Sequence, residues 1–347
     1  MKAMVTEGPL TLACKDVAPP EPRVGEVRLF FEKGLFTAGT RRAILGRAAQ
    51  VVDRGFTYPL TIGGAALATV EDAGGSGRVR QGDRVYVSNV ITCGQCAFCT
   101  SGHDNICIDR QLAGIHVDGT FAELFRVDER RIFPVADDVD TGLVMLVTEI
   151  AVMTNALHMG WESTEKRDRV AIIGAGNVGM HGVTLARLWG ATEVHVIDTD
   201  PVRLEVARRL GAAQAMTPDT YDAWVAEDLA GRGAGVAIVA TDDSHAIALA
   251  SRGLRARGCL VCVGLPEGDK ALLPRYYPSF LAKELVLRGC YAKSSAHIAE
   301  TLELLRQFEP VADEAVEIPM TEEGAERLVA LAQLRPDGRR YVVTHEA

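Results

Sequence analysis

Four cysteines fall within fifteen residues in the order Cys93-x2-Cys96-x2-Cys99-x7-Cys107. Thiolates at such short spacing suit the tetrahedral four-ligand shell of Zn2+. Gly94 and Gly102 let the backbone fold back on itself between them. A closed shell leaves no position for water or substrate, so a metal held there is structural. Four cysteines also ligate iron–sulfur clusters, but no electron-transfer partner is implied here, and redox-active thiols are a weaker alternative still. The other cysteines, Cys14, Cys259, Cys262 and Cys290, are scattered among apolar neighbours and read as reduced core residues.

A second constellation is Gly174-Ala175-Gly176-Asn177-Val178-Gly179, placed directly after the β-branched run 170–173. In a G-x-G-x-x-G turn the first glycine permits the tight turn, the second lets a pyrophosphate approach the backbone, and the third lets helix and sheet pack closely. The free N–H groups of the helix that follows point at the phosphates. Such a turn alone is weak evidence, but its context is present here: a strand before it, a helix after it, and an acid at the end of the next strand. That acid is Asp198, 19 residues beyond Gly179. A carboxylate there accepts hydrogen bonds from the adenosine ribose and repels a 2′-phosphate, which favours NAD over NADP; Arg203 nearby softens the preference. The alternative is an exposed turn aspartate ahead of Asp200-Pro201. Thr241, Val263 and Leu265 complete the candidates for cofactor contact.

The elements that must position these groups fall into three regions. Residues 1–148 carry short β-branched runs separated by Gly and Pro, such as 27–31 and 84–87, and read as β-rich. Residues 149–294 alternate strands with helices, the signature of a parallel sheet. The strand candidates are 170–173, 193–198, 236–240, 259–263 and 285–288, and apolar residues at helical spacing mark 178–189 and 201–210. Residues 295–347 carry helices at 298–306 and around 322–332, then a strand at 340–344, and are expected to return to the first domain. The fold class is α/β, a β-rich domain joined to a doubly wound Rossmann domain.

Composition narrows the partners. The chain of 347 residues is 48% hydrophobic and 24% charged, with a net charge of −9. An acidic balance argues against nucleic acid or an anionic membrane as partner. Runs such as Asp128-Glu129-Arg130-Arg131 interleave the signs and read as a solvated face. No apolar stretch reaches the roughly 18 residues that span a bilayer, and the first residues lack the core of a signal peptide. A cytoplasmic protein with a small-molecule substrate is the expectation.

The knuckle, then Gly114-Ile115-His116-Val117-Asp118-Gly119-Thr120-Phe121-Ala122-Glu123, then the glycine-rich turn, together resemble the medium-chain dehydrogenase/reductase family. The likeness is to its zinc alcohol, sorbitol and threonine dehydrogenases, and it extends to Gly82-Asp83-Arg84-Val85 and Lys283-Glu284-Leu285-Val286-Leu287-Arg288-Gly289. It implies a GroES-like catalytic domain, a Rossmann domain, an active site in the cleft between them, and a homodimer or homotetramer. It also implies a second, catalytic zinc held by a Cys, a His and a Glu or Cys. Here the first stretch reads Gly34-Leu35-Phe36-Thr37-Ala38-Gly39-Thr40, with Thr37 in place of the cysteine. The second reads Ile62-Gly63-Gly64-Ala65, and only Glu149 keeps a ligand type. One carboxylate and one hydroxyl do not make the three-ligand open site of catalytic zinc, so that metal is expected to be absent.

The resemblance carries Thr37, Thr40 and Glu149 over as catalytic candidates. Glu149 is either a general acid with a raised pKa or a leftover carboxylate tied to its neighbours. The alternative for Thr37 and Thr40 is a bond to local backbone, and His116 and Tyr58 read as structural. The preferred expectation is a zinc-independent NAD(P)H-dependent reductase of a bulky conjugated substrate; some relatives couple such a step to ring closure in specialised metabolism. Its enolate charge can be met by hydroxyls or backbone N–H groups. The alternatives are a zinc-independent dehydrogenase of a secondary alcohol and a dinucleotide-binding protein without catalysis.

Overall fold

The structure, a computed structural model, describes residues 1–46, 58–164, 166–228, 233–264, 273–308, 315–334 and 339–345. The chain divides into two compact units, Met1–Val147 with Ile298–Ala347, and Thr148–His297.

The first unit is built on the strand Glu26–Leu35. Its alternation buries Val27, Leu29 and Phe31 completely, the period-2 pattern of a strand with one face in a core. One edge pairs antiparallel with Ala66–Asp72. The other edge pairs first with Leu124–Asp128 and then with Tyr341–Thr344, so the returning chain completes the sheet. Beyond Tyr341–Thr344 lies Val316–Pro319, in parallel. The returning helix Glu322–Gln333, capped by Thr321 accepting from the Gly324 N–H at 3.0 Å, adds Ala325, Leu328 and Ala332 to the same core.

The second unit holds a six-stranded sheet. Its strands are β1 (Arg169–Ile173), β2 (Glu193–Ile197), β3 (Gln214–Met216), β4 (Ala234–Val239), β5 (Leu254–Cys262) and β6 (Val286–Gly289). Every pair is parallel and the spatial order is β3-β2-β1-β4-β5-β6. That is the doubly wound dinucleotide-binding order, whose ligand crevice lies where the order reverses, at the carboxyl ends of β1 and β4. Val170, Ala171 and Ile172 are fully buried, as are Val236, Ala237 and Ile238, the continuous burial expected of strands covered on both faces.

Two expectations need correction. The helix α1 (Thr141–Glu162) has 22 residues and an 18-residue window of mean hydropathy 1.4, so by length and composition an apolar span does exist. That window is 72% buried, as in a core helix. Thr148, Glu149, Thr154 and Asn155 interrupt it in sequence, yet Thr154 is itself buried and donates its hydroxyl to Ile150 O at 3.0 Å. The helix after the glycine-rich turn, α2 (His181–Leu188), starts later than position 178. Residues 176–180 form a turn instead, in which the Met180 N–H donates to Gly176 O at 3.0 Å. The sequence reading also assigned no element to the helices Pro218–Asp228 and His245–Gly253.

Candidate functional site

The three glycines of the turn have three different surroundings. Gly174 has a φ of 99°, and a Cβ there would lie 2.9 Å from both Ala240 O and the Thr241 side chain. Gly179 is packed so closely that a Cβ would lie 1.9 Å from Gly174 O. Gly176 has nothing within 4 Å of where its Cβ would be, which leaves its backbone open to a ligand. Gly176, Asn177 and Val178 are half-buried while the flanking Ala175 and Gly179 are buried. Thr241 adjoins the same turn, its side chain 2.9 Å from a Cβ on Gly174, while the Val263 N–H donates to Val239 O at 2.9 Å at the end of β4. Leu265 lies outside the described residues.

Asp198 is tied into the turn. Its Oδ2 accepts from the Ala175 N–H at 2.7 Å and its Oδ1 from the Asp200 N–H at 2.9 Å. Arg203 Nη1 stands 3.8 Å from Asp198 Oδ2, and its Nε 3.6 Å from Asp200 Oδ2. Asp200 caps the helix Pro201–Arg209 by accepting from the Val202 N–H. The carboxylate at the end of β2 therefore fixes the geometry of the phosphate-binding turn, a role the motif alone does not disclose.

Glu149 sits on α1 with its Oε2 3.3 Å from His181 Nε2, the first residue of α2. The histidine side chain is 1% exposed and the carboxylate 12%. The pairing bridges 32 residues of sequence, and His181 is a partner the sequence reading missed. Lys293 was missed as well: it is 4% exposed in the same unit, and burial pushes its amine down to about 8.

Thr37 and Thr40 come together in the first unit. Thr37 is the N-cap of the helix Ala38–Leu45, its Oγ1 accepting from the Thr40 N–H at 3.4 Å and lying 3.3 Å from Thr40 Oγ1. The helix is held in place by Arg41, which donates to Ala332 O and Leu334 O at 2.7 and 2.6 Å. Gly64 is buried, yet a Cβ there would meet only Asn89 at 3.6 Å or more, an ordinary contact. Its neighbour Gly63, by contrast, has Phe121 within 2.5 Å of a Cβ. The His116 ring accepts from the Leu112 N–H at 2.9 Å and Tyr58 donates to Ala43 O at 3.3 Å, both local structural bonds.

The four cysteines converge. Sγ atoms are 3.5 Å apart for Cys96–Cys99 and Cys93–Cys107, and 4.0 Å apart for Cys93–Cys99. All four lie within 4.8 Å of one another. A tetrahedron with the usual Zn–S bond has S···S edges of about 3.8 Å, so the donor set fits one zinc ion with no ligand to spare. Backbone N–H groups already point at the sulfurs: Cys93 N–H at Cys107 Sγ and Cys96 N–H at Cys93 Sγ, 3.3 and 3.4 Å away. The backbone N–H groups of Cys99 and Ile108 pull the Cys96 thiol down to about 6. Burial pushes Cys99 up to about 12. Four thiolates at these distances would repel one another, and a divalent metal would supply the compensating charge.

Residues 40–137 match the model of the alcohol dehydrogenase GroES-like domain, and residues 177–307 match the zinc-binding dehydrogenase model. L-galactonate-5-dehydrogenase of Escherichia coli K12 is 29% identical over 262 residues, 74% of this chain and 75% of that protein. The alcohol dehydrogenase structure from Thermotoga maritima superposes with a TM-score of 0.87 at 21% identity, covering 99% of each chain. An alcohol dehydrogenase from Escherichia coli CFT073, solved with NADH, gives a TM-score of 0.84 at 22% identity over 99% of each chain. The chain belongs to the medium-chain dehydrogenase/reductase family. It is an NAD(P)-dependent oxidoreductase of that type.

Proposed function

We propose that this oxidoreductase works without a catalytic zinc, delivering hydride from NAD(P)H to a bulky conjugated substrate of the enone type. The observation that carries the reading is the pair of positions where the family's metal donors are expected. Thr37 there uses its oxygen to cap a helix, and Gly64 offers no donor although a side chain would fit. Without a Lewis acid, reduction of a plain carbonyl loses its main electrostatic help. Hydride addition to the β-carbon of an enone instead places charge on an enolate oxygen, which a hydroxyl or N–H can stabilise. A proton then completes the reduction at the α-carbon. Glu149 is the proposed donor, oriented by His181, and Thr37 and Thr40 are the proposed hydroxyl groups. The carboxylate of Asp198 favours NADH. The working protein is proposed to be a homodimer or homotetramer.

The name of the relative L-galactonate-5-dehydrogenase favours a second reading, a zinc-independent dehydrogenase of a secondary alcohol. Two measurements separate the possibilities. Metal analysis is expected to give about one zinc per chain; about two would end the zinc-free proposal. With NADH deuterated at the transferred position, label is expected on the carbon β to a carbonyl, and label on a carbinol carbon selects the second reading.

A further inference from the structure

In the run Asp128-Glu129-Arg130-Arg131 the Arg130 side chain is solvated, 55% exposed, yet it is held to specific partners, while Arg131 turns inward. Arg131 is only 9% exposed and donates through Nε to Ser88 O at 2.9 Å. Arg130 is laid against the cysteine knuckle, its Nη1 donating to Cys93 O at 3.5 Å. The approach is possible because Gly94 has no side chain: a Cβ there would lie 2.3 Å from Arg130 Nη1. Asp128 locks the guanidinium from its other side. Its oxygens accept from Arg130 Nε at 2.9 and 3.1 Å and from Nη2 at 2.6 Å, while Oδ1 also takes the Arg130 backbone N–H at 2.9 Å. The short turn Glu129–Arg131, which Asp128 caps, fixes the side chain's origin.

Four thiolates around one divalent cation carry a net charge of about −2. N–H···S bonds offset part of it, and a fixed cation nearby offsets more. Because Asp128 occupies the Nε edge, Nη1 is the end left facing the knuckle.

We propose that Arg130, clamped by Asp128 over the Gly94 turn, is a positioning cation for the four-cysteine metal centre and sets how tightly the knuckle holds zinc. It touches no reacting atom, and its effect is read in the metal. The test is competition between the zinc-loaded full-length protein and a chromogenic chelator at constant pH, for the wild type, Arg130→Gln and Arg130→Lys. Arg130→Gln, which keeps the shape and removes the charge, is expected to weaken zinc retention by about 10- to 100-fold. Arg130→Lys is expected to recover most of that loss. In the Co2+-substituted protein the sulfur-to-metal charge-transfer band is expected to move in Arg130→Gln and to return toward the wild-type position in Arg130→Lys. Equal zinc retention in wild type and Arg130→Gln overturns the proposal, and so does equal loss in both variants, which would assign the effect to hydrogen-bond geometry. If Arg130→Gln does not fold, Asp128→Asn serves instead; it releases the clamp, and unchanged retention there also overturns the proposal.

Discussion

The cysteine knuckle and the stretch around Thr37 and Gly64 belong to the same unit and, by family likeness, both stand where metal donors are expected. They differ in what their donor atoms do. In the knuckle the sulfurs face one another at 3.5–4.0 Å, the spacing of a four-sulfur shell that could hold a zinc ion. At Thr37 the oxygen is already used by the start of its own helix, and at Gly64 there is no donor. The Thr37 oxygen is spent on starting a helix, whereas the four sulfurs converge on one point with backbone N–H groups turned toward them. The contrast separates a metal kept for structure from one proposed to be dispensed with in the chemistry.

The comparison can be broken most decisively at the knuckle. Cys107 is fully buried, and Cys107→Ser removes a quarter of the ligand shell. Zinc content is expected to fall to near zero and stability by more than about 3 kcal/mol, read by metal analysis and denaturant unfolding. Retention of the metal by this variant would mean that the loop does not form a closed four-sulfur site. On the catalytic side, Glu149→Gln keeps the volume and the contact with His181 while removing the ionisable proton. Turnover is expected to drop about 100-fold with KM little changed; an unchanged rate removes Glu149 from the mechanism. The smallest effect concerns Thr37. Thr37→Ala is expected to cost about 1 kcal/mol of stability, the value of a helix cap, with Thr37→Ser restoring it. Metal content should be the same in all three proteins, and a loss of metal on Thr37→Ala would contradict the role assigned to its oxygen.

What was legible in the sequence was local in the chain. The knuckle's ligands occupy one loop, and the glycine turn carries its own strand in front of it, so spacing alone exposes both. Gly174, Gly176 and Gly179 have different surroundings, the first and third closed by neighbouring backbone and the second open. Contacts made by the fold were not legible. Glu149 meets His181 only because α1 and α2 pack together, and nothing in either segment announces the other. Arg130 looked like one charge in a mixed run because the feature that lets it lie over the knuckle is a missing Cβ at Gly94, 36 residues earlier in the chain. Helix α1 was missed for a related reason: its threonines, Asn155 and Glu149 satisfy their polarity within the helix or across the packing, so a segment that reads as interrupted is continuous in space.

The strand Tyr341–Thr344 has a consequence for how the molecule is made. Among the described residues it is the last strand in chain order, yet it is inserted into the sheet between Glu26–Leu35 and Val316–Pro319. During synthesis the first unit waits with an open seam until some 300 further residues have been added, while every residue of the second unit is already available once position 297 is reached. Domains tend to fold as units in the order they emerge, but here the unit that begins first closes last. A nascent chain stalled short of residue 341 would carry a finished nucleotide-binding body on an unsealed β-sheet with an exposed edge, a form that a cell's chaperones would recognise and its proteases would cut.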